Sequence, residues 1–166
     1  DTALRHNLTN HLGQCLRLDG RYQRAIETHR AVLDDPSARD DPLALAHALA
    51  GSAETCRYMR AFADAESYGQ RALKTLGSLP NERRIFLAVL NTLGLTNLSL
   101  GRPAEAIVRL RDAIKLAETL DLRLYVGRIR HNLGNSLTAA GRVDEAFAAY
   151  ADGIAELIAL KASAYD

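Results

Sequence analysis

Apolar residues recur every three or four positions along most of the chain. Ile129, Leu133 and Leu137 follow one another at intervals of four, and Ala146, Tyr150, Ile154 and Leu157 at four, four and three. That period gathers apolar side chains on one side of a helix. Ala and Leu dominate and β-branched residues are sparse, which favours helix throughout.

The helical stripes break at regular places. A Leu-Gly pair recurs at Leu12-Gly13, Leu93-Gly94 and Leu133-Gly134. Seven residues beyond each stands a second glycine, Gly20, Gly101 and Gly141, followed at once by Arg21, Arg102 and Arg142. Five residues beyond the second glycine comes Ala25, Ala106 or Ala146. A weaker copy lies between the first two, with Ala53, Arg60 and Ala65 at the equivalent places. The first motif position falls at 13, 53, 94 and 134, at intervals of 40, 41 and 40. So constant a period in four copies is the signature of a repeat architecture.

The second glycine sits where a helix should stop, because glycine takes the left-handed conformation of a C-terminal cap. A new helix opens two residues later. Pro103 suits its first turn, and Glu105, Asp144 and Glu145 suit the positive end of its dipole. Each copy therefore reads as helix, tight turn, helix. The predicted helices cover 2–18 and 22–34, 42–59 and 62–76, 82–99 and 103–119, 123–139 and 143–160. They make an all-α chain of four helix-turn-helix repeats (2–34, 42–76, 82–119, 123–160), expected to form one domain over 1–166. Gly13, Ala53, Gly94 and Gly134 are expected to face Ala25, Ala65, Ala106 and Ala146, so that the paired helices approach closely. The stretches DDPSARDDP (34–42), GSLPNE (77–82) and TLDLR (119–123) read as linkers within the stack.

Leu-Gly, then Gly, then Ala at these offsets resembles the tetratricopeptide repeat, over nearly the whole chain. The period of about 40 is that of the longer variant, as in kinesin light chains, Pins-type adaptors and bacterial multidomain transcriptional regulators. Some motif places differ. Thr9, Leu49, Leu90 and Arg130 stand at the early Trp; Leu16, Cys56, Asn97 and Leu137 stand at the common Tyr; the late Pro is missing.

The resemblance implies an α-α superhelix, a solenoid of about eight helices whose first helices line a concave groove. It also implies which residues reach that groove. In the first repeat these are Asn7, Asn10, Gln14 and Arg17. In the second they are His47, Ala50, Glu54 and Arg57, with Tyr58 beside them. The third offers Ala88, Asn91, Leu95 and Leu98, and the fourth Arg128, His131, Asn135 and Thr138. The set is rich in amides and cations and poor in acids. Amides pair with a peptide backbone whatever its sequence, and Arg grips carboxylates. His131 and Asn135 match two positions of the family's carboxylate clamp by type, but the clamp's Lys is missing.

Composition narrows the rest. The 166 residues are 48% apolar and 25% charged, as in a globular domain, and the net charge of +1 gives no global pull towards nucleic acid or anionic membrane. Apolar runs such as Ile85–Leu90 fall far short of the roughly 20 residues that cross a bilayer. No signal peptide opens the chain, and its start at Asp1 leads us to expect a piece of a larger protein. Cys15 and Cys56 form no CxxC pair and are expected to be buried and reduced, as in the cytoplasm.

His6, His11, His29, His47 and His131 have no metal-ligand spacing, and the chain has no GxSxG, Walker or GxGxxG motif. No cofactor, metal or enzymatic activity is expected. Arg84, Arg128 and Arg130 suggest a local anion patch, but aromatics for base stacking are few, so no nucleic acid is expected. The last helix carries Phe147, Ile154, Leu157, Ile158 and Leu160 with nothing after it to cover them. Solenoids need covered ends, so either more repeats continue in the parent protein or this end meets another copy, and self-association through this helix is one expectation.

The sequence thus points to a non-catalytic interaction and regulatory module, holding a peptide or protein segment in its groove. The expected setting is the sensor or effector region of a bacterial multidomain transcriptional regulator. The alternatives are an adaptor for extended peptide cargo and a helical repeat that senses a small molecule.

Overall fold

The computed structural model describes residues 1–162. It contains eight helices: α1 (Thr2–Leu18), α2 (Tyr22–Leu33), α3 (Pro42–Tyr58), α4 (Phe62–Leu76), α5 (Arg83–Ser99), α6 (Pro103–Thr119), α7 (Arg123–Ala139) and α8 (Val143–Ala162). No strand occurs among the described residues. The first linker folds into a short 3-10 turn, Pro36–Asp40.

The helix ends follow local chemistry. The Asp1 carboxylate accepts from the amides of Ala3 and Leu4, and that of Asp41 from the amide of Ala44. Pro42 and Pro103 open their helices, where a missing N–H costs nothing. At the turns inside the hairpins, Gly20, Gly101 and Gly141 have φ of 77°, 73° and 74°. The amide of the following residue then reaches back over the last turn: Arg21 to the Leu16 carbonyl at 2.8 Å, Arg102 to Asn97 and Arg142 to Leu137 at 2.9 Å. The second repeat closes in the same way around Arg60 at φ 62°, with Ala61 N–H on the Cys56 carbonyl at 2.9 Å. Asp121, at φ 52°, ends α6 by the same device.

The chain forms two compact units, Asp1–Thr92 and Leu93–Asp166. In the first, α1 packs on α2, α2 on α3, and α3 on α4, with α1 also meeting α3. Ile26 of α2, Cys56 of α3 and Ala65 of α4 form one core cluster; Val32, Ala38, Ala44 and Ala48 form another. Buried His6 ties α1 to the 3-10 turn: its Nε2 lies 3.2 Å from Asp35 and its Nδ1 3.6 Å from Asp41. Hydrogen bonds from the Ser37 hydroxyl and amide, and from His6, hold the Asp35 carboxyl well below the usual carboxylate range.

In the second unit α7 packs between α6 and α8, and residues 93–99 of α5 belong with them. Leu93, Ile107, Leu110, Val126, Ile129 and Leu137 are buried there.

At the crossings within hairpins the motif glycine lies closest to a large side chain of the partner helix, and at Gly94 the Ala106 carbonyl oxygen also lies 3.5 Å from where a Cβ would be. A Cβ added at Gly13 would lie 2.6 Å from the His29 ring, at Gly94 2.7 Å from Leu110, and at Gly134 2.4 Å from the Tyr150 ring. His29, Leu110 and Tyr150 each stand four residues beyond the motif alanine. The glycine therefore makes room for one large side chain of the partner helix, one turn past the small residue. In the second repeat, where Ala53 replaces the glycine, the corresponding place on α4 holds buried Gly69. The methyl and the hydrogen have changed sides.

Candidate protein-interaction groove

The first unit contains a cavity of about 360 Å³ between α1 and α3, reaching the start of α5. Asn7, Asn10, Gln14 and Arg17 line it from α1, and His47, Ala50 and Glu54 from α3. Asn7 and Gln14 lie seven residues apart, as do His47 and Glu54, so each pair shares one helix face. Arg84, Ile85 and Ala88 close the cavity from α5, with His11, Leu43 and Asp41 around the rim.

Two of these side chains are committed to the fold. Asn10 is buried and donates from Nδ2 to the Ala44 carbonyl at 3.0 Å. Arg17 is also buried and pairs with Glu54 at 3.2 Å. Both hold α1 to α3 from within the cavity wall. Asn7, Gln14 and Arg84 remain exposed.

His29 lines the same cavity although it belongs to α2, a second helix. It reaches the floor because two facing helices lack side chains there: Gly13 on α1, and Gly51 on α3, where a Cβ would lie 2.4 Å from the ring. Asn10 presents its Nδ2 to Ala44, so its Oδ1 is left to accept from His29 Nδ1–H, 3.4 Å away. His29 Nε2 then carries the lone pair and has no hydrogen-bond partner among the described residues. Burial, followed by the nearby Arg17 and His47, pushes the His29 pKa down to about 4, so the ring is neutral at pH 7. Burial likewise lowers the pKa of His47; Glu82 and Asp41 oppose the shift and His11 adds to it.

The signals for His29 were a polar residue at the place of Leu110 and Tyr150, and the extra glycine at 51 in the facing helix. Assigning the groove to first helices alone passes over both.

Arg57 and Tyr58 stand apart from the cavity. The Arg57 guanidinium lies 4.3 Å from the Tyr58 ring centre, and that ring stacks on Tyr22 at 5.6 Å. Asn91 is half-buried on α5.

In the second unit Leu95 is half-buried, while Arg128, His131 and Asn135 are exposed along α7. Tyr150 crosses the Gly134 gap to reach this face: its hydroxyl donates to Asn135 Oδ1 at 2.7 Å, and its ring lies 5.6 Å from that of His131. Arg130 is drawn into pairs with Glu118 at 2.9 Å and Glu156 at 3.6 Å. The expected basic patch is thereby partly neutralised.

The two cysteines are both free, but only Cys56 is buried; Cys15 is exposed, contrary to the expected buried pair. Its place on α1 points away from the hairpin partner. Among the described residues no group of three His, Cys, Asp or Glu is placed to hold a metal ion. No described helix is long and apolar enough to cross a membrane.

Paired helices of constant period, closed by left-handed turns and presenting first-helix faces, define a helical-hairpin repeat protein. Residues 8–43 and 126–155 each match a tetratricopeptide-repeat family model. The fold matches the crystal structure of BtubC (BKLC) from P. vanneervenii with a TM-score of 0.84 and 23% sequence identity, over 97% of this chain. The chain spans 66% of that structure's length. No curated protein sequence matches. Residues 8–43 and 126–155 thus carry tetratricopeptide repeats, and the whole chain shares the fold of a tetratricopeptide-repeat protein, a class that generally serves as a non-catalytic scaffold for protein–protein interaction.

Proposed function

We propose that the groove of the first unit holds an extended peptide or protein segment and that the chain acts as a regulatory interaction module. The observation that carries this reading is the cavity floor: a neutral His29 whose Nε2 is a buried, unpartnered acceptor, set among the exposed amides of Asn7 and Gln14. A peptide backbone supplies donors and acceptors at regular spacing, and amides answer both. Arg84 suits an acidic side chain, and Leu43 and Ile85 an apolar one. A separate contact surface is proposed for Arg128, His131 and Asn135 in the second unit.

The setting we favour is the sensor or effector region of a cytoplasmic bacterial multidomain transcriptional regulator, with cargo adaptor as the alternative. A small-molecule sensor is a second reading, favoured by one observation. A volume of about 360 Å³ lies within the range of small-ligand sites. Self-association through α8 is a further interaction, supported by the exposed stripe of Phe147, Ile154 and Ile158.

The test is selection of a displayed peptide library against the chain, with affinities then measured by fluorescence anisotropy. Peptides combining acidic and apolar residues are expected, and their binding should weaken at least tenfold in the Gln14→Ala, Arg84→Ala double variant. The Arg111→Ala variant, on the second unit, should bind as wild type does. Failure to enrich any peptide, together with thermal stabilisation by a sugar or nucleotide panel, would transfer the site to the small-molecule reading.

A further inference from the structure

Three large side chains fill the gaps left by the motif glycines, and only one of them brings an open polar atom. Leu110 has none, and the Tyr150 hydroxyl is donated to Asn135 Oδ1 at 2.7 Å. His29 is 1% exposed, and its Nε2 has no hydrogen-bond partner among the described residues. A buried acceptor in that state is costly unless something donates to it.

The neighbours hold this acceptor in place. The ring sits against Gly13 and Gly51, and a Cβ at Gly51 would lie 2.4 Å from Nε2 itself. Gly51 stands in the interior of α3, where glycine weakens a helix; the other three repeats have His11, Thr92 and Asn132 there. On the opposite side of the ring, Nδ1 faces Asn10 Oδ1 at 3.4 Å, and Asn10 Nδ2 is fixed on the Ala44 carbonyl at 3.0 Å. These contacts tie α2 through α1 to α3 and set the tautomer, and turning the ring over would break them. Nε2 is therefore the polar atom that His29 offers to the cavity it lines.

The chemistry of a partner for it follows. The partner must donate, which excludes an ionised carboxylate. Positive charge is disfavoured, because Arg17 and His47 both oppose it on the ring, while the Asp41 and Glu82 carboxylates act on His47 instead. An apolar group would leave the acceptor unpaired. At 1% exposure only the narrow end of a projecting group can meet Nε2, and an extended backbone stays nearer the exposed amides of Asn7 and Gln14.

We propose that the cavity floor receives an uncharged group that donates a hydrogen bond to His29 Nε2, a primary amide or a hydroxyl projecting from the ligand. This rests on the groove reading and names the chemistry recognised at its deepest point. His29 is then a specificity-determining residue, and Gly51 is what admits it.

The experiment selects a displayed random peptide library in parallel against wild type and His29→Leu, which carries the residue found at Leu110. Circular dichroism and urea unfolding confirm that the variant is folded. Wild type should enrich peptides that share asparagine, glutamine, serine or threonine at one position. In synthetic copies, exchanging threonine there for valine, or glutamine for methionine, should weaken binding to wild type by about tenfold or more. Against His29→Leu the same exchange should leave affinity unchanged. Nitrogen NMR of histidine-labelled wild type gives a readout that needs no variant. The free chain should carry the proton on Nδ1, and the Nε2 signal should move with the donor peptide but not with its valine or methionine copy. A proton on Nε2 in the free chain, or enriched peptides with no shared donor, overturns the inference and leaves the peptide groove standing. If no peptide enriches, a panel of sugars and simple primary amides is the second arm. Thermal stabilisation of wild type and not of His29→Leu would keep the donor site and move its source to a small molecule. Silence in both arms overturns the donor site and the groove reading together.

Discussion

The ring of Tyr150 occupies the space that a side chain on Gly134 would need: a Cβ there would lie 2.4 Å from Cε1. The hydroxyl of the same ring is anchored on Asn135, so the ring cannot swing away without losing that bond. Gly134→Ala should therefore destabilise the second unit by ~1–3 kcal/mol, the usual cost of overpacking. The Ala53 and Gly69 arrangement of the second repeat suggests the remedy. Adding Tyr150→Gly to Gly134→Ala should cost less than the two single changes summed, in a double-mutant cycle by urea unfolding. Strict additivity would show that the two residues do not share the space.

Arg60 holds a left-handed conformation at φ 62°, where the other three hairpin turns have glycine. A side chain costs roughly 1–2 kcal/mol in that region, part of which glycine returns as unfolded-state entropy. Arg60→Gly should raise stability by roughly 0.5–1 kcal/mol, and Gly141→Ala should lower it by a similar or larger amount. Thermal melts of the two variants should move in opposite directions. A lower melting temperature for Arg60→Gly would mean that the contact of its guanidinium with the Phe62 ring, 5.9 Å away, outweighs the strain.

His29 introduces a pH dependence. Its folded pKa, pushed down to about 4, lies below the unfolded value of 6.5. Above the unfolded value the ring is neutral in both states, and the pairing costs nothing. As pH falls from 6.5 towards 4, the unfolded chain takes up a proton that the folded chain refuses, so stability falls across that window. The full loss is on the order of 3 kcal/mol. His29→Leu, which installs the residue found at Leu110, should flatten the urea midpoint between pH 6.5 and 4 relative to wild type. An unchanged slope would place the sensitivity at other groups, His47 first among them.

The thiols should separate in a simple reaction. Cys15 is exposed, while burial pushes the Cys56 thiol up to about 11. Burial thus both hides the Cys56 sulfur and keeps it protonated, so it forms no reachable thiolate. Iodoacetamide at pH 7.5 and low protein concentration should add one label to the folded chain, on Cys15, and a second only in denaturant. Peptide mass spectrometry locates them.

Much of this architecture was legible in the residues alone. Glycine at 20, 101 and 141 stops a helix for a local reason, the steric freedom of a residue without a side chain, and local reasons can be read in order along a chain. The period of 40 then required the hairpins to be equivalent, and the groove positions implied by the family resemblance, counted from 13, 53 and 94, placed eight residues around one cavity.

Packing between helices decided the rest. Whether Asn10 and Arg17 would face a ligand or fasten α1 to α3 depended on where the Ala44 carbonyl and Glu54 came to lie. His29 became a groove residue only because Gly13 and Gly51, 38 positions apart, left a gap on either side of its ring. Periodicity states which face a residue occupies. What that face meets is set by distant residues brought together in three dimensions, and a one-dimensional pattern does not contain those distances.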